Sequence, residues 1–259
     1  MTNPHPIAHA GTCANCDTAL RGAFCHQCGQ RGEVHRLTLP HLLHEIPHAI
    51  FHVDRGLLVT IRALALHPGR TINAYLDGHR IRYFNPLSML VLLAGLCALV
   101  YSKFPFDYAP MAAGLPAKEA AETVAFVKTL MVNYSLGLMV QLPIVALLSR
   151  WFMGGQRSYG EHLAINAFIF AFMCVINLAW MPVHMIANGG AWMPLALLGS
   201  GLLFLAYQTF ALWDTFRTPG RPFGPLLRAL LTVFGYMAIP MLVGLAAGIA
   251  MAMQAGAKP

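Results

Sequence analysis

Residues 84–102 read FNPLSMLVLLAGLCALVYS and contain no charged side chain. A helix needs about 20 apolar residues to cross the hydrocarbon core of a bilayer, so this stretch predicts a membrane-spanning helix. The composition of the whole chain agrees, since 57% of its 259 residues are hydrophobic and only 10% are charged. Soluble domains carry roughly 25% charged residues. The chain is therefore predicted to be an all-α membrane protein.

Further charge-free stretches of sufficient length follow the first, at residues 130–149, 163–187, 192–213 and 229–253. Lipid offers no partner to an unpaired backbone amide, and these stretches lack the alternating pattern of barrel strands. Each is therefore predicted to be a helix. Together with the first stretch they predict a five-helix transmembrane bundle over residues 84–259.

The basic side chains divide cleanly between the loops on the two sides of the predicted bundle. All thirteen arginines lie before span one, between spans two and three, or between spans four and five. The four lysines lie between spans one and two or after span five. Because cytoplasmic loops carry an excess of basic residues, this partition predicts a cytoplasmic N-terminus and a periplasmic C-terminus.

Two pairs of cysteines lie in the stretch CANCDTALRGAFCHQCGQR, residues 13–31, with the C-x2-C spacing. They are Cys13, Cys16, Cys25 and Cys28. Two thiolates so spaced can occupy two corners of a tetrahedron, and two such pairs complete a closed shell around one zinc ion. With no open coordination position, this zinc ion is predicted to be structural. It would fold a zinc ribbon, residues 1–36, that is too small to bury a core of its own.

Disulfide bonds are the alternative for these cysteines, and the predicted reducing compartment argues against them. Gly29 follows the second pair and tolerates the positive φ that a metal-binding turn requires. The ribbon carries only Arg21 and Arg31 against Asp17 and Glu33. This balance gives no phosphate-tracking surface, so no nucleic acid partner is predicted.

Residues 37–83 are predicted to form an amphipathic histidine-rich helix followed by a juxtamembrane helix. At about 100° per residue, four histidines share one face with Arg55 and Arg62, and leucines and isoleucines cover the opposite face. These histidines are candidate ligands of a second metal ion: His41, His44, His48 and His52. Such a helix either rests in the headgroup layer or packs its apolar face on the ends of the spans.

The same helix contains the pattern H-E-x-x-H at His44, Glu45 and His48. In metal-dependent hydrolases this pattern holds zinc with two imidazoles and uses the glutamate as general base. Pro47 lies inside it, removes a helical hydrogen bond and disturbs the register of the two rings. The pattern therefore gives only an alternative hypothesis of catalysis.

The junction to the membrane reads HPGRTINAYLDGHRIRYFNP, residues 67–86. Pro68 and Gly69 are predicted to form a turn, and Gly78 to cap a short helix. Arginine at this depth can bond lipid phosphates, and tyrosine prefers the headgroup layer. A lipid headgroup contact is therefore predicted at the end of the junction, at Arg80, Arg82 and Tyr83.

Three stretches carry a family resemblance through their order along the chain: residues 13–31, HLLHEIPHAIFHVDRG at 41–56, and the junction at 67–86. Together they resemble a bacterial family of inner-membrane proteins of unknown function with an N-terminal four-cysteine zinc ribbon. The resemblance covers about residues 13–100, and the later spans match only in hydropathy. It implies a location in the bacterial inner membrane and no established activity.

These observations favour a non-enzymatic integral membrane protein whose cytoplasmic ribbon is a platform for a protein or lipid partner. One alternative is a metal-dependent hydrolase that uses the H-E-x-x-H pattern. Another is a transporter of small solutes or lipids. The predicted spans contain no Asp, Glu, Lys or Arg. This weakens the hypothesis of an ion-coupled transporter, because ion relays need ionisable groups inside the membrane.

Overall fold

The structure, a computed structural model, describes residues 6–7, 11–38, 56–104, 106–154, 157–217, 220 and 223–238. In these ranges the regular structure is helical apart from a short antiparallel pair of strands, β1 (Pro6–Ile7) and β2 (Val34–His35). The helices are α1 (Gly56–Leu66), α2 (Pro68–Leu76), α3 (Pro86–Lys103), α4 (Ala117–Met153), α5 (Tyr159–Ile186), α6 (Met193–Phe216) and α7 (Phe223–Ala238). A 3-10 turn, Ala109–Ala112, precedes α4.

Four helices are long and apolar enough to cross a membrane within the described residues: α3, the Met131–Met153 part of α4, α5 and α6. The first four predicted spans are thereby confirmed as helices. The fifth predicted span begins inside α7, an apolar helix of Phe223–Ala238. Its remaining residues, 239–253, lie outside the described residues, so a fifth span stays a prediction.

Helix α4 begins earlier than the charge-free stretch that predicted it. Its first residue is Ala117, whereas the stretch starts at residue 130. Residues 117–129, AKEAAETVAFVKT, are mostly good helix formers, and their charges exclude them from the hydrocarbon core. The helix therefore extends beyond the span that it contains.

Helix α5 is the central helix of the bundle. It contacts α3, α4 and α6 along its length, and α1 and α2 near its start. Its residues 160–174 are all buried. Ser158 and Glu161 form a reciprocal capping box that fixes the start of the helix. Cys97 of α3 donates from Sγ to the Cys174 carbonyl of α5 over 3.3 Å, as expected for small packing residues.

One end of the bundle is called the ribbon end here. Helices α3 and α5 begin there and α4 and α6 finish there, because Ser149 of α4 lies 2.8 Å from His162 of α5 and the His162 ring stacks on Phe216 of α6. At the opposite end, Tyr101 of α3 donates to Asn177 Oδ1 of α5 over 2.7 Å. The Tyr101 hydroxyl also lies 3.0 Å from Nδ1 of the buried His184.

Helix α2 is wedged into the ribbon end. The Gly69 amide donates to Asp214 Oδ2 of α6 over 2.7 Å, and a Cβ atom at Gly69 would overlap the backbone carbonyl of Asp214. Tyr75 is only 1% exposed and meets the Phe168 ring edge-on at 5.1 Å. The prediction of a turn at Pro68–Gly69 was wrong, because proline is well suited to the first turn of a helix and both residues belong to α2.

Candidate metal centre

The four predicted cysteine ligands come together in the ribbon. Cys13 Sγ lies 3.6 Å from Cys28 Sγ, and Cys16 Sγ lies 3.6 Å from Cys25 Sγ. All four sulfur atoms lie within 4.8 Å of one another. Each short sulfur–sulfur contact joins one cysteine of the first C-x2-C pair to one cysteine of the second. Both halves of the ribbon therefore hold the cluster.

The ribbon is built from two hairpins that repeat the same backbone pattern. The Cys13 amide donates to the Thr18 carbonyl over 2.8 Å, and the Asp17 amide donates to the Cys13 carbonyl over 2.9 Å. Twelve residues later the same two bonds recur at 2.7 and 2.9 Å around Cys25. The turn needs positive φ at its fifth residue, which is Gly29 with φ 77° in one hairpin and Asp17 with φ 57° in the other.

The positive φ of Gly29 was predicted and is confirmed, whereas that of Asp17 was missed. The repeat of the C-x2-C pair at a spacing of twelve residues was the signal that could have found it. Aspartate is among the few residues other than glycine that tolerate the left-handed region.

The sulfur spacing fits a bound metal ion and excludes disulfides. A disulfide needs sulfur atoms about 2.05 Å apart, and the two short sulfur separations here are 3.6 Å. A tetrahedral shell with metal–sulfur bonds of about 2.3 Å places its sulfur atoms about 3.8 Å apart. Cys13 and Cys25 are buried, and Cys16 and Cys28 are half-buried. The cluster is therefore able to hold one metal ion with four protein ligands.

The thiols of the cluster differ in their readiness to lose a proton. Hydrogen bonds from the Thr18 hydroxyl and backbone stabilise the Cys16 thiolate and lower its pKa to about 6. Burial raises the pKa of Cys28 to about 11. A thiolate is the form that binds metal. A bound metal ion would favour the thiolate form of each ligand, because its positive charge stabilises the deprotonated sulfur.

Gln30 joins the metal cluster to the loop between α2 and α3, residues 77–85, called the junction loop. Its backbone carbonyl accepts from the Cys25 amide over 2.7 Å and so completes the second hairpin. Its buried side chain donates from Nε2 to the Gly78 carbonyl over 2.8 Å. Its Oε1 accepts from the amides of Arg80 and Ile81 over 3.3 and 3.4 Å. Gln30 therefore belongs to the metal-binding hairpin through its backbone and holds the junction loop through its side chain.

The first hairpin contacts the same loop from its tip. Asn15 Oδ1 accepts from the Arg82 amide over 3.2 Å. Gly78 has φ 111°, and a Cβ atom at this position would lie 3.0 Å from the Ala14 Cβ. The junction loop therefore needs glycine at this position both for its backbone conformation and for its close contact with the ribbon.

A second attachment ties the ribbon to the start of α5. Arg36 Nε lies 3.2 Å from Glu161 Oε1. The Ser158 hydroxyl donates to the carbonyl of the buried Leu37 over 3.2 Å. The same glutamate belongs to the helix cap, so the ribbon is fixed to a rigid element of the bundle.

The residues predicted to meet lipid headgroups lie in the junction loop. Arg82 is exposed, with its guanidinium carbon 5.7 Å from the centre of the Tyr83 ring, and Arg80 and Tyr83 are half-buried. Their contact with lipid stays a prediction. The candidate second metal site and the H-E-x-x-H pattern fall in residues 39–55, outside the described residues: His41, His44, Glu45, His48 and His52. Sequence reasoning missed the docking residues Asn15, Gln30 and Arg36.

The charges of the described residues divide between the two ends of the bundle. Arg36 and Arg80 are at the ribbon end through the contacts given above. Arg157 joins them, because its Nη2 donates to Asn73 of α2 over 2.8 Å. Lys103 and Lys118 lie at the opposite end, in the last turn of α3 and the first turn of α4. These five basic residues therefore lie at the ends of the bundle that the predicted partition gives them, and the orientation of the ends in a membrane stays a prediction.

Comparison with known proteins gives one partial match. Residues 54–97 match the model of a family described as Protein of unknown function (DUF3667). The matched segment contains α1, α2, the junction loop and most of α3, and it ends before the other spans. No curated protein and no solved structure matches the chain. The match therefore marks the segment on which the ribbon docks and brings no activity with it.

Proposed function

We propose that Cys13, Cys16, Cys25 and Cys28 hold one structural zinc ion. Four thiolates in a closed shell are a donor set that zinc prefers, and zinc has no redox chemistry that would endanger the thiolates. When bound, the ion supplies folding energy to the ribbon and no reaction centre, because no coordination position is left for a substrate.

The second part of the proposal is a place in the bacterial inner membrane, with the ribbon on the cytoplasmic face. The clustering of arginines at the ribbon end supports this orientation, because positive charge is retained on the cytoplasmic side. A reducing cytoplasm also keeps four thiols free for metal.

The third part is the role of the molecule: a non-enzymatic membrane protein whose ribbon is a platform for a cytoplasmic protein partner. The observation that carries this proposal is the double attachment of the ribbon, through Gln30 to the junction loop and through Arg36 to α5. A ribbon fixed in this way presents a rigid surface. Phe24 is 58% exposed on that surface, and the Arg31 guanidinium carbon lies 5.9 Å from its ring centre. Phenylalanine and arginine side chains are enriched at protein–protein interfaces relative to the rest of the surface.

The zinc part is tested by measuring metal in the purified full-length protein by mass spectrometry. We expect one zinc ion per chain, its loss in Cys25→Ser, and its retention in the matched control Cys174→Ser. Absence of metal from the wild type, or zinc retained in Cys25→Ser, would contradict the proposal. For orientation, a fluorescent protein fused to the N-terminus should fluoresce, and an active exported reporter there would contradict it.

The platform is tested with a photo-crosslinking amino acid placed at Phe24 in growing cells. We expect an adduct with a discrete protein at this position, lost in the Cys25→Ser background. The same probe at Leu64, which is buried, is the matched control and should give no such adduct. A probe at Phe24 that labels no protein, or labels it equally without the metal cluster, would show that the ribbon is not a metal-dependent platform.

A further inference from the structure

Helix α1 is too short to cross a membrane, yet it lies at the level where a span begins. Its 11 residues extend over about 16 Å, roughly half of the hydrocarbon core. The Phe84 amide, beside the start of α3, donates to Thr60 Oγ1 over 2.8 Å. The Tyr207 hydroxyl of α6 donates to the Leu64 carbonyl over 3.3 Å. The first bond holds α1 beside the start of α3, and the second holds it against α6, nine residues before that helix ends at Phe216.

The side of α1 that faces away from the bundle is apolar as well. Leu58, Val59 and Leu66 are 74%, 48% and 59% exposed. Their helical spacing places them in one arc around Arg62, which is also exposed. The sequence predicted a polar face here, and the structure instead gives the helix a second apolar face. Three large exposed apolar side chains on one short helix are unfavourable in water.

The composition of this second face identifies its partner. Leu58, Arg62 and Leu66 follow one another at intervals of four residues, and the helix contains no acidic residue. Apolar side chains that surround one arginine are typical of helices in the plane of the membrane, where the arginine reaches the phosphates and the apolar groups enter the acyl boundary. The nearby junction loop repeats the combination with Ile81, which is exposed, and Arg82.

We propose that α1 is an in-plane interfacial helix whose second apolar face is embedded in the lipid leaflet at the ribbon end, with Arg62 bound to the phosphate of an anionic phospholipid. The assignment of this leaflet as the cytoplasmic one rests on the proposed orientation. The lipid contact itself rests only on α1 and its two bonds to the spans. Helix α1 would thereby add a second, larger lipid-contacting surface to the one predicted at the junction loop.

The contact is tested by placing a photo-crosslinking amino acid at Leu58 or Leu66 of the full-length protein in native membranes. We expect phospholipid adducts at both positions. The same probe at the buried Leu64 is the matched control and should give none. A protein adduct at Leu58 and Leu66 would show that the face belongs to a protein interface, and no adduct with any partner would show that it faces water; either result overturns the proposal.

The role of Arg62 is tested by native mass spectrometry of protein equilibrated with an equimolar mixture of phosphatidylglycerol and phosphatidylcholine. Because one basic residue contributes about 1 kcal/mol at an anionic surface, Arg62→Gln should reduce the preference for phosphatidylglycerol about five-fold. Arg62→Lys should keep most of it, and Arg21→Gln in the ribbon should leave it unchanged. An unchanged preference in Arg62→Gln would refute the assigned role. Zinc content and reporter topology are measured on the same variants, so failure of the proposed function is seen separately.

Discussion

Replacing Gln30 with alanine should open the junction loop without changing the metal ligands. The variant loses the 2.8 Å bond to the Gly78 carbonyl and the two longer bonds from Arg80 and Ile81. The Gly78 carbonyl keeps one partner, because it also accepts from the Arg80 amide over 2.8 Å. The cost is therefore that of the lost bonds, about 1 kcal/mol for the short one and less for each of the two longer ones. Taken together, the free energy of opening the loop should fall by about 2 kcal/mol, which corresponds to about a thirty-fold larger open population.

Trypsin can measure this population, because Arg80 and Arg82 are cleavage sites inside the loop. When opening is fast relative to cleavage, the cleavage rate follows the open population. Cleavage after these two residues in the detergent-purified protein, followed by mass spectrometry, should therefore rise about thirty-fold in Gln30→Ala. Chelation of the metal should have a similar effect, because the Gln30 carbonyl belongs to the metal-binding hairpin.

Gln27→Ala is the matched control, since Gln27 is an exposed glutamine of the same ribbon. Its cleavage should equal that of the wild type. If Gln30→Ala is cleaved within two-fold of Gln27→Ala, the side chain of Gln30 does not hold the loop, and the coupling of the metal cluster to the membrane junction is refuted.

Other parts of the structure give predictions of the same kind. Thr18→Val removes a hydroxyl that lowers the pKa of Cys16. Protons then compete better with zinc for this sulfur, so the pH at which the purified protein releases half of its zinc to an indicator dye should rise. Gly69→Ala should destabilise the protein by about 1–3 kcal/mol, because the new Cβ atom has no space beside Asp214. Gly95→Ala, on an open face of α3, is the control and should not destabilise it. Both are measured by thermal unfolding in detergent. Tyr101→Phe removes the hydroxyl that joins α3 to α5 and should cost about 1 kcal/mol in the same assay.

The spans and the metal cluster could be predicted because each leaves a local mark in the sequence. Charge-free stretches identified four helices, and the C-x2-C spacing identified four sulfur atoms that the structure brings within 4.8 Å. The start of α4 could not be found in this way, because a charged residue ends a hydrophobic stretch without ending the helix.

The docking of the ribbon left no such mark. Gln30 and Gly78 are 48 residues apart, and a polar residue in a small ribbon looks the same whether it faces water or another segment. Helix α1 was predicted from one apolar face, and the apolar residues on its other face were not weighed. The pattern of Leu58 and Leu66 around Arg62 has meaning only once the helix is placed beside the spans.

The crossing of α2 over the last turn of α6 limits how this molecule can move. At Gly69 the backbones of the two helices are in direct contact, with no side chain between them that could adjust to a movement. Neither helix can slide or tilt there without breaking the hydrogen bond from the Gly69 amide to the Asp214 carboxylate. The ribbon end is therefore expected to be rigid, and larger motions of the bundle are expected at the opposite end, where the charged first turns of α4 lie.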